Sequence, residues 1–336
     1  MSRIRVGVVG YGYWGPNIVR NLVGLEQCEV VWVCDRNPKA LARVQKLYPS
    51  IRVTMDSADV ITDPAIDAVA IITPVWTHFD LAKAALEHGK HVFVEKPFTS
   101  TSAQAEELIA IADRKNLRIM VDHTFLFTGA VKKIRELVDS GALGPLLYFD
   151  SSRINLGLFQ HDVSVIWDLA PHDLSVMDHV IGMEPQGVVA TGGTHFGKHA
   201  DIAFLTVYFP NNVLAHINVN WMSPVKVRTT LIGGREKMLV WNDLDVDEKI
   251  KVYDKGVTVT NAEGVYDLLV SYRSGDVWSP KVAQTEALSA ELSYFMDCIT
   301  GGDTPFNDGV AGLRVVRMLE AADRSLAERG EVVALA

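Results

Sequence analysis

The sequence predicts an α/β protein: an N-terminal doubly wound parallel sheet, then a C-terminal α+β domain built on a large, open-faced, mostly antiparallel sheet. Three observations predict it. Residues 3–122 alternate short apolar runs with helix-spaced stretches, a glycine-rich turn follows the first run, and beyond residue 123 longer strand-like segments replace the alternation. The expected domains are therefore 1–122, for a dinucleotide, and 123–336, for substrate binding and oligomerisation.

The first element is a β-branched strand, residues 4–9, which stops at Gly10-Tyr11-Gly12-Tyr13-Trp14-Gly15 before a helix at 16–22. Gly10 permits the tight turn, Gly12 leaves bare backbone for a diphosphate, and Gly15 lets the helix lie close to the strand. The free N–H groups of the helix start hold the anion. Residues 29–34 form the second strand, and Asp35 stands twenty residues after Gly15, where its carboxylate accepts from the adenosine ribose hydroxyls. Asp35 repels a 2′-phosphate, so NAD is the expected cofactor. Arg36 beside it could hold that phosphate, which keeps NADP as the alternative. Tyr13 and Trp14, inside the turn, count as cofactor contacts with the glycines.

A helix at 38–47 and a short strand at Arg52-Val53 continue the pattern. The apolar strand 68–72 breaks at Thr73-Pro74, and ligands bind at such carboxyl ends, so Thr73, Pro74, Thr77 and His78 are expected along the cofactor. A helix to residue 88, a strand at 91–94, a helix at 102–115 and a strand at 118–122 complete about six parallel strands. Glu95-Lys96-Pro97 ends the fifth. Lys96 should project from the ligand edge toward the nicotinamide, which makes Glu95, Lys96 and Pro97 cofactor contacts and Lys96 a catalytic candidate.

In the second half a helix at 131–140 precedes strands at 146–156, 188–195, 202–209, 214–221 and 227–232, and a helix at 308–329 closes the chain. In 214–221 the alternation is clear, with Leu214, His216, Asn218 and Asn220 on one side and Ala215, Ile217, Val219 and Trp221 on the other. Helices covering one sheet face leave the other to be hidden by self-association, as a homodimer or homotetramer. Asp168 and His172, four apart, share a helix face, and Pro171 between them fits near the start of a helix. Such a pair is either a general base, His172, with Asp168 as its orienting partner, or a helix-capping Asp with a structural His. His123, Arg153, Asn155 and Asp162 join Lys96, Asp168 and His172 as candidate substrate contacts, with ordinary salt-bridge or turn roles the equal alternative for those four, and residues 276–280 are a candidate covering loop in which Trp278 is as readily core. His161, His172 and His179 make no ligand set with other His or Cys, so no metal is expected.

Composition excludes other classes. A chain of 336 residues with 48% hydrophobic content supports two cores, and a net charge of −9 without a basic cluster argues against nucleic acid. Cys28, Cys34 and Cys298 form no C-x-x-C pair and read as reduced core thiols. Neither a signal region nor a bilayer-length apolar run is evident, so a cytoplasmic protein without membrane partners is expected.

The order of Gly10-x-Gly12-x-x-Gly15, Thr73-Pro74 with His78, Glu95-Lys96-Pro97 and Asp168-x-x-x-His172 resembles the glucose-fructose oxidoreductase, inositol dehydrogenase and MocA (Gfo/Idh/MocA) family over nearly the whole chain. The resemblance implies a Rossmann domain and NAD(P)-dependent oxidation or reduction at a carbinol carbon of a sugar or cyclitol. It puts Lys96, Asp168 and His172 at the catalytic positions and implies dimers or tetramers. Two departures bear on substrate shape: Val163-Ser164-Val165-Ile166-Trp167 stands where glycines are frequent, and Ala170 replaces a frequent glycine. The run around Trp167-Asp168 looks like the branch acting on hexoses or nucleotide-linked sugars in glycan biosynthesis. The expected activity is a sugar or nucleotide-sugar dehydrogenase. The alternatives are an inositol dehydrogenase, an epimerase or dehydratase with tightly held NAD, and a non-catalytic nucleotide sensor, which Lys96, Asp168 and His172 argue against.

Overall fold

The computed structural model describes residues 3–157, 159–160, 162–259 and 270–335. The N-terminal alternation folds as β1 (Ile4–Val9), α1 (Gly15–Gly24), β2 (Cys28–Cys34), α2 (Pro38–Leu47), β3 (Arg52–Thr54), α3 (Ser57–Ile61), β4 (Ala68–Ile71), α4 (His78–Glu87), β5 (His91–Glu95), α5 (Ser102–Lys115) and β6 (Ile119–Asp122). All pairings are parallel, in the order β3-β2-β1-β4-β5-β6. The strand order reverses between β1 and β4, which opens a crevice beyond their carboxyl ends.

There follow α6 (Gly129–Asp139), β7 (Leu146–Leu156), α7 (Val165–Ile181), β8 (Gly187–Gly193), β9 (Ile202–Tyr208), β10 (Leu214–Asn220), β11 (Met222–Gly234), β12 (Met238–Asn242), β13 (Ile250–Val259), β14 (Val270–Trp278), α8 (Ala287–Gly301), α9 (Gly309–Ala327) and β15 (Val333–Ala334). The second sheet runs β14-β13-β12-β11-β7-β10-β9-β8-β15, antiparallel except at β7 and β10. Residues 276–278, expected in a covering loop, belong to β14, where Val277 and Trp278 pair with Tyr253 and Val252.

The chain divides into two compact units, residues 1–127 with 285–317 and residues 128–284 with 318–336. Segment 285–317, which the sequence reading gave to the second domain, packs with the first unit. Leu288, Leu292, Phe295 and Met296 lie on one face of α8 and enter the core that holds Ile4, Val8 and Phe93, with the Phe93 and Phe295 rings 5.8 Å apart. Among the described residues no helix is long and apolar enough to cross a membrane.

In the second unit α7 lies on the sheet through Ile166, Ala170, Leu174, Met177 and Val180, all fully buried. An ion pair fixes it there: Arg153 Nε on β7 donates to Asp173 Oδ2 at 2.5 Å, and Ser151 Oγ donates to Asp173 Oδ1 at 2.6 Å. Both charges are buried, so removing one partner costs about 3–5 kcal/mol by leaving the other unpaired.

In the first unit α8 also carries a carboxyl group into the core beside β6. The fully buried Glu291 accepts from the His123 backbone N–H at 3.0 Å and from Asn307 Nδ2 at 3.1 Å. Burial, and after it the neighbouring Asp122, pushes Glu291 well above the ordinary carboxylate range; the same two causes raise Glu95. The folded chain therefore holds protons that the unfolded chain releases above the ordinary glutamate value of 4.5. Stability from this source is complete below 4.5 and falls as pH rises. Glu291→Gln keeps a neutral side chain at every pH. Its urea midpoint, compared with the wild type, should climb between pH 5 and 8; a difference independent of pH would contradict a protonated Glu291.

Candidate functional site

The glycine turn of the first unit is set by its own backbone. Gly10 has φ +103°, and a Cβ there would stand 2.2 Å from the Ile72 carbonyl oxygen; a Cβ at Gly15 would stand 2.5 Å from the Gly10 carbonyl oxygen. At Gly12 it would meet nothing within 4 Å, so this residue leaves one side of the backbone bare. The Tyr11 N–H donates to Asp35 Oδ2 at 2.6 Å and the Asn37 N–H to Oδ1 at 2.7 Å, which binds the turn to the end of β2 and fixes the carboxylate. Beside it opens a cleft of about 450 Å³ that brings together Gly10, Gly12, Asp35, Arg36, Thr73, Pro74 and Thr77. Met55, Ser57 and Trp76 line it too; only Trp76, between Pro74 and Thr77, had a nearby sequence signal. The volume, the bare Gly12 backbone, an α1 N-terminus without a side-chain cap and the fixed carboxylate fit a dinucleotide.

Other expected cofactor residues occupy different positions. His78 is fully buried, its ring nitrogens 2.7 Å from Thr73 O and 3.0 Å from Pro97 O, so it joins the ends of β4 and β5 instead of facing the cofactor. Burial pushes its pKa below the usual histidine value. Tyr13 is almost wholly exposed and lines no part of the cleft. The Trp14 indole N–H donates to Asp122 Oδ2 at 3.0 Å, so a residue the sequence reading passed over, Asp122, holds the glycine turn from the far end of the sheet. Glu95 ends β5, and Lys96 and Pro97 follow it. His123, expected to meet substrate, is buried in the first unit beside Glu291, and burial pushes its imidazole down to about 4. It is a neutral core residue.

In the second unit α7 begins earlier than Pro171 implies. Ser164 caps it by accepting from the Trp167 N–H, so Asp168 lies in its first turn while Pro171 and His172 are interior. Pro171 has no N–H for the carbonyl one turn back, at a cost of about 3 kcal/mol. Burial of the apolar face of α7 offsets it. Asp168 and His172 remain one turn apart, and the Trp221 indole N–H donates to Asp168 Oδ2 at 3.2 Å. Trp221, 53 residues away, had no local signal. Arg153, expected on substrate, is committed to Asp173. Asn155 is half-buried near the end of β7, Asp162 is exposed ahead of α7, and His161 lies outside the described residues.

Two family models match the chain. One, described as an oxidoreductase family with an NAD-binding Rossmann fold, covers residues 4–123; the other, the GFO/IDH/MocA C-terminal domain, covers 131–240. The UDP-N-acetylglucosamine 3-dehydrogenase of Acidithiobacillus ferrooxidans is 28% identical over 94% of this chain and 95% of its own. A crystal structure of that enzyme matches with a TM-score of 0.81 at 25% identity, over 98% of this chain and 99% of its own. The scyllo-inositol 2-dehydrogenase (NAD(+)) of Bacillus subtilis is 23% identical over 90% of this chain and 88% of its own. A protein of Magnetospirillum magnetotacticum MS-1 classed as an oxidoreductase has a structure with a TM-score of 0.81 at 30% identity, over 95% of this chain and 99% of its own. With an NAD-binding Rossmann domain, a matching C-terminal domain and relatives aligned along nearly its full length, the chain belongs to the Gfo/Idh/MocA family of oxidoreductases.

Proposed function

We propose that this NAD(P)-dependent oxidoreductase acts on a carbinol carbon of a sugar, a hexose or a nucleotide-linked sugar, with Lys96, Asp168 and His172 as its catalytic residues. The observation that carries the reading is the α7 face, where Asp168 and His172 stand one turn apart and Asp168 is held by the Trp221 indole. A bound nicotinamide supplies the hydride acceptor or donor. His172 takes the hydroxyl proton during oxidation and returns it during reduction, Asp168 orients the imidazole, and the Lys96 ammonium stabilises negative charge on the oxygen. The similarity to a UDP-N-acetylglucosamine 3-dehydrogenase supports a sugar substrate; the similarity to a scyllo-inositol 2-dehydrogenase favours a cyclitol as the second reading. Absorbance of reduced nicotinamide over a panel of hexoses, nucleotide sugars and inositols separates the two. Oxidation of inositols alone would select the second. The cytoplasm is the proposed compartment, in keeping with the free, buried thiols of Cys28, Cys34 and Cys298.

The three residues should fail differently. His172→Ala should retain NAD affinity and lose turnover by roughly 10²- to 10⁴-fold. Lys96→Ala should lose turnover and also weaken cofactor or substrate binding, while Asp168→Ala should be milder than His172→Ala. Steady-state kinetics with NAD titrations check this. Wild-type turnover in His172→Ala beside an inactive Asp168→Ala would transfer the acid-base role to Asp168.

We further propose a homodimer, or a tetramer of paired dimers, formed through the sheet face opposite α7. That face presents Phe204, Tyr208 and Leu214, each more than a third exposed, with the His216 ring stacked on Phe204 and bonded to Asp150 at 3.1 Å. Sedimentation at micromolar concentration should show no monomer, and Leu214→Lys should shift the population toward one. A monomeric wild type would contradict the proposal.

A further inference from the structure

The second unit carries an aromatic and basic feature that the acid-base reading does not use. Three rings continue outward from Asp168. The Trp221 indole bonded to it lies 5.6 Å from the Phe159 ring, and Phe159 lies 5.8 Å from Phe196 in an edge-to-face arrangement. Trp221 is buried, Phe159 half-buried and Phe196 71% exposed, so the series runs from the core to an open aromatic face. An exposed phenylalanine on a connection between strands loses hydrophobic free energy unless something covers it.

Phe196 is nonetheless held in place. The buried Asp201 accepts from the Phe196 N–H at 3.0 Å, from the His195 N–H at 2.7 Å and from His195 Nδ1 at 2.7 Å. Burial works against the Asp201 charge, but these three donors outweigh it and hold its carboxyl below the usual range. A carboxylate only accepts, so His195 Nδ1 carries the proton and Nε2 is left for another partner on a side chain that is half exposed. Lys198 and His199 follow within the same connection. An exposed ring held by its own backbone, with Lys198 and His199 two and three residues on in the same connection, offers a stacking surface with cationic side chains close in sequence, in a chain of net charge −9.

We propose that Phe196, supported by Phe159 and flanked by His195, Lys198 and His199, seats the base and diphosphate of a nucleoside diphosphate sugar whose sugar is held at Asp168 and His172. The proposal rests on the sugar-oxidoreductase reading for the second half of that sentence, and it commits to the nucleotide-linked substrate where that reading left a hexose open. The base stacks on Phe196, the phosphates meet the Lys198 ammonium and the His195 ring in its imidazolium form, in which Nε2 also donates, and the glycosyl end lies inward along the rings.

The test is calorimetric titration of uridine diphosphate into full-length, NAD-saturated protein, where NAD blocks the adenosine site of the first unit. UDP should bind. Phe196→Ala should weaken it on the order of tenfold to a hundredfold, the worth of one stacked base, whereas Phe196→Tyr should restore it. Lys198→Ala should weaken UDP but not uridine and should reduce the dependence on salt. Phe196 is exposed, so these variants should keep the wild-type thermal midpoint and NAD affinity. No UDP binding at millimolar concentration, or equal binding by wild type and Phe196→Ala, overturns the subsite. The two readings fail separately: reduction of NAD by free hexoses without UDP binding removes the subsite and leaves the oxidoreductase, while Phe196-dependent UDP binding without NAD reduction by any sugar does the reverse.

Discussion

The hydrogen bond from the Tyr11 N–H to Asp35 is the constraint on which the cofactor cleft depends. It joins the turn after β1 to the end of β2, and the preceding Gly10 turns the backbone through positive φ. With that turn closed, α1 starts at Gly15, just beyond the carboxyl end of β1, next to the crevice of the strand-order reversal. Asp35 is thus both a structural acceptor and a wall of the cleft. A carboxylate already engaged by two backbone donors is held in place, which gives the expected preference for NAD a rigid basis.

Trp14 supplies the opposite anchor. Its indole reaches Asp122, and Asp122 stands among Glu95, Glu291 and the donors of Thr124, so the glycine turn is braced across the sheet as well as along it. Keeping Glu95 and Glu291 protonated avoids three adjacent buried anions. The cost is a stability that declines toward alkaline pH. The second unit balances other terms, a proline inside α7 and a buried ion pair under it against a continuous apolar helix face.

The parallel sheet was legible because its signals are local: β-branched runs, glycine punctuation and an acid at fixed spacing. The apolar spacing of Leu288, Leu292, Phe295 and Ile299 also marks a helix, yet no local property says which core receives it, so its return to the first unit was invisible. The same limit hid Trp221 beside Asp168 and Asp122 beside Trp14, contacts between residues 53 and 108 positions apart. His123 and Arg153 could not be assigned to substrate or to structure from the sequence, for the opposite reason. Both have chemistry-bearing side chains, but one is enclosed by α8 and the other is consumed by Asp173, and burial of that kind depends on partners distant in the chain. Pro171 misplaced the start of α7 because tertiary burial outweighed a local propensity.

The fixed position of Asp35 carries the claim that this cleft is built for the unphosphorylated ribose, and the ratio of NAD to NADP affinities measures it directly. Titrations of both cofactors into the wild type and Asp35→Ser should show NAD bound at least about tenfold more tightly by the wild type, with the preference lost when the carboxylate is removed and Arg36 is left to meet the phosphate. Tight NADP binding by the wild type with negligible NAD affinity would contradict the account.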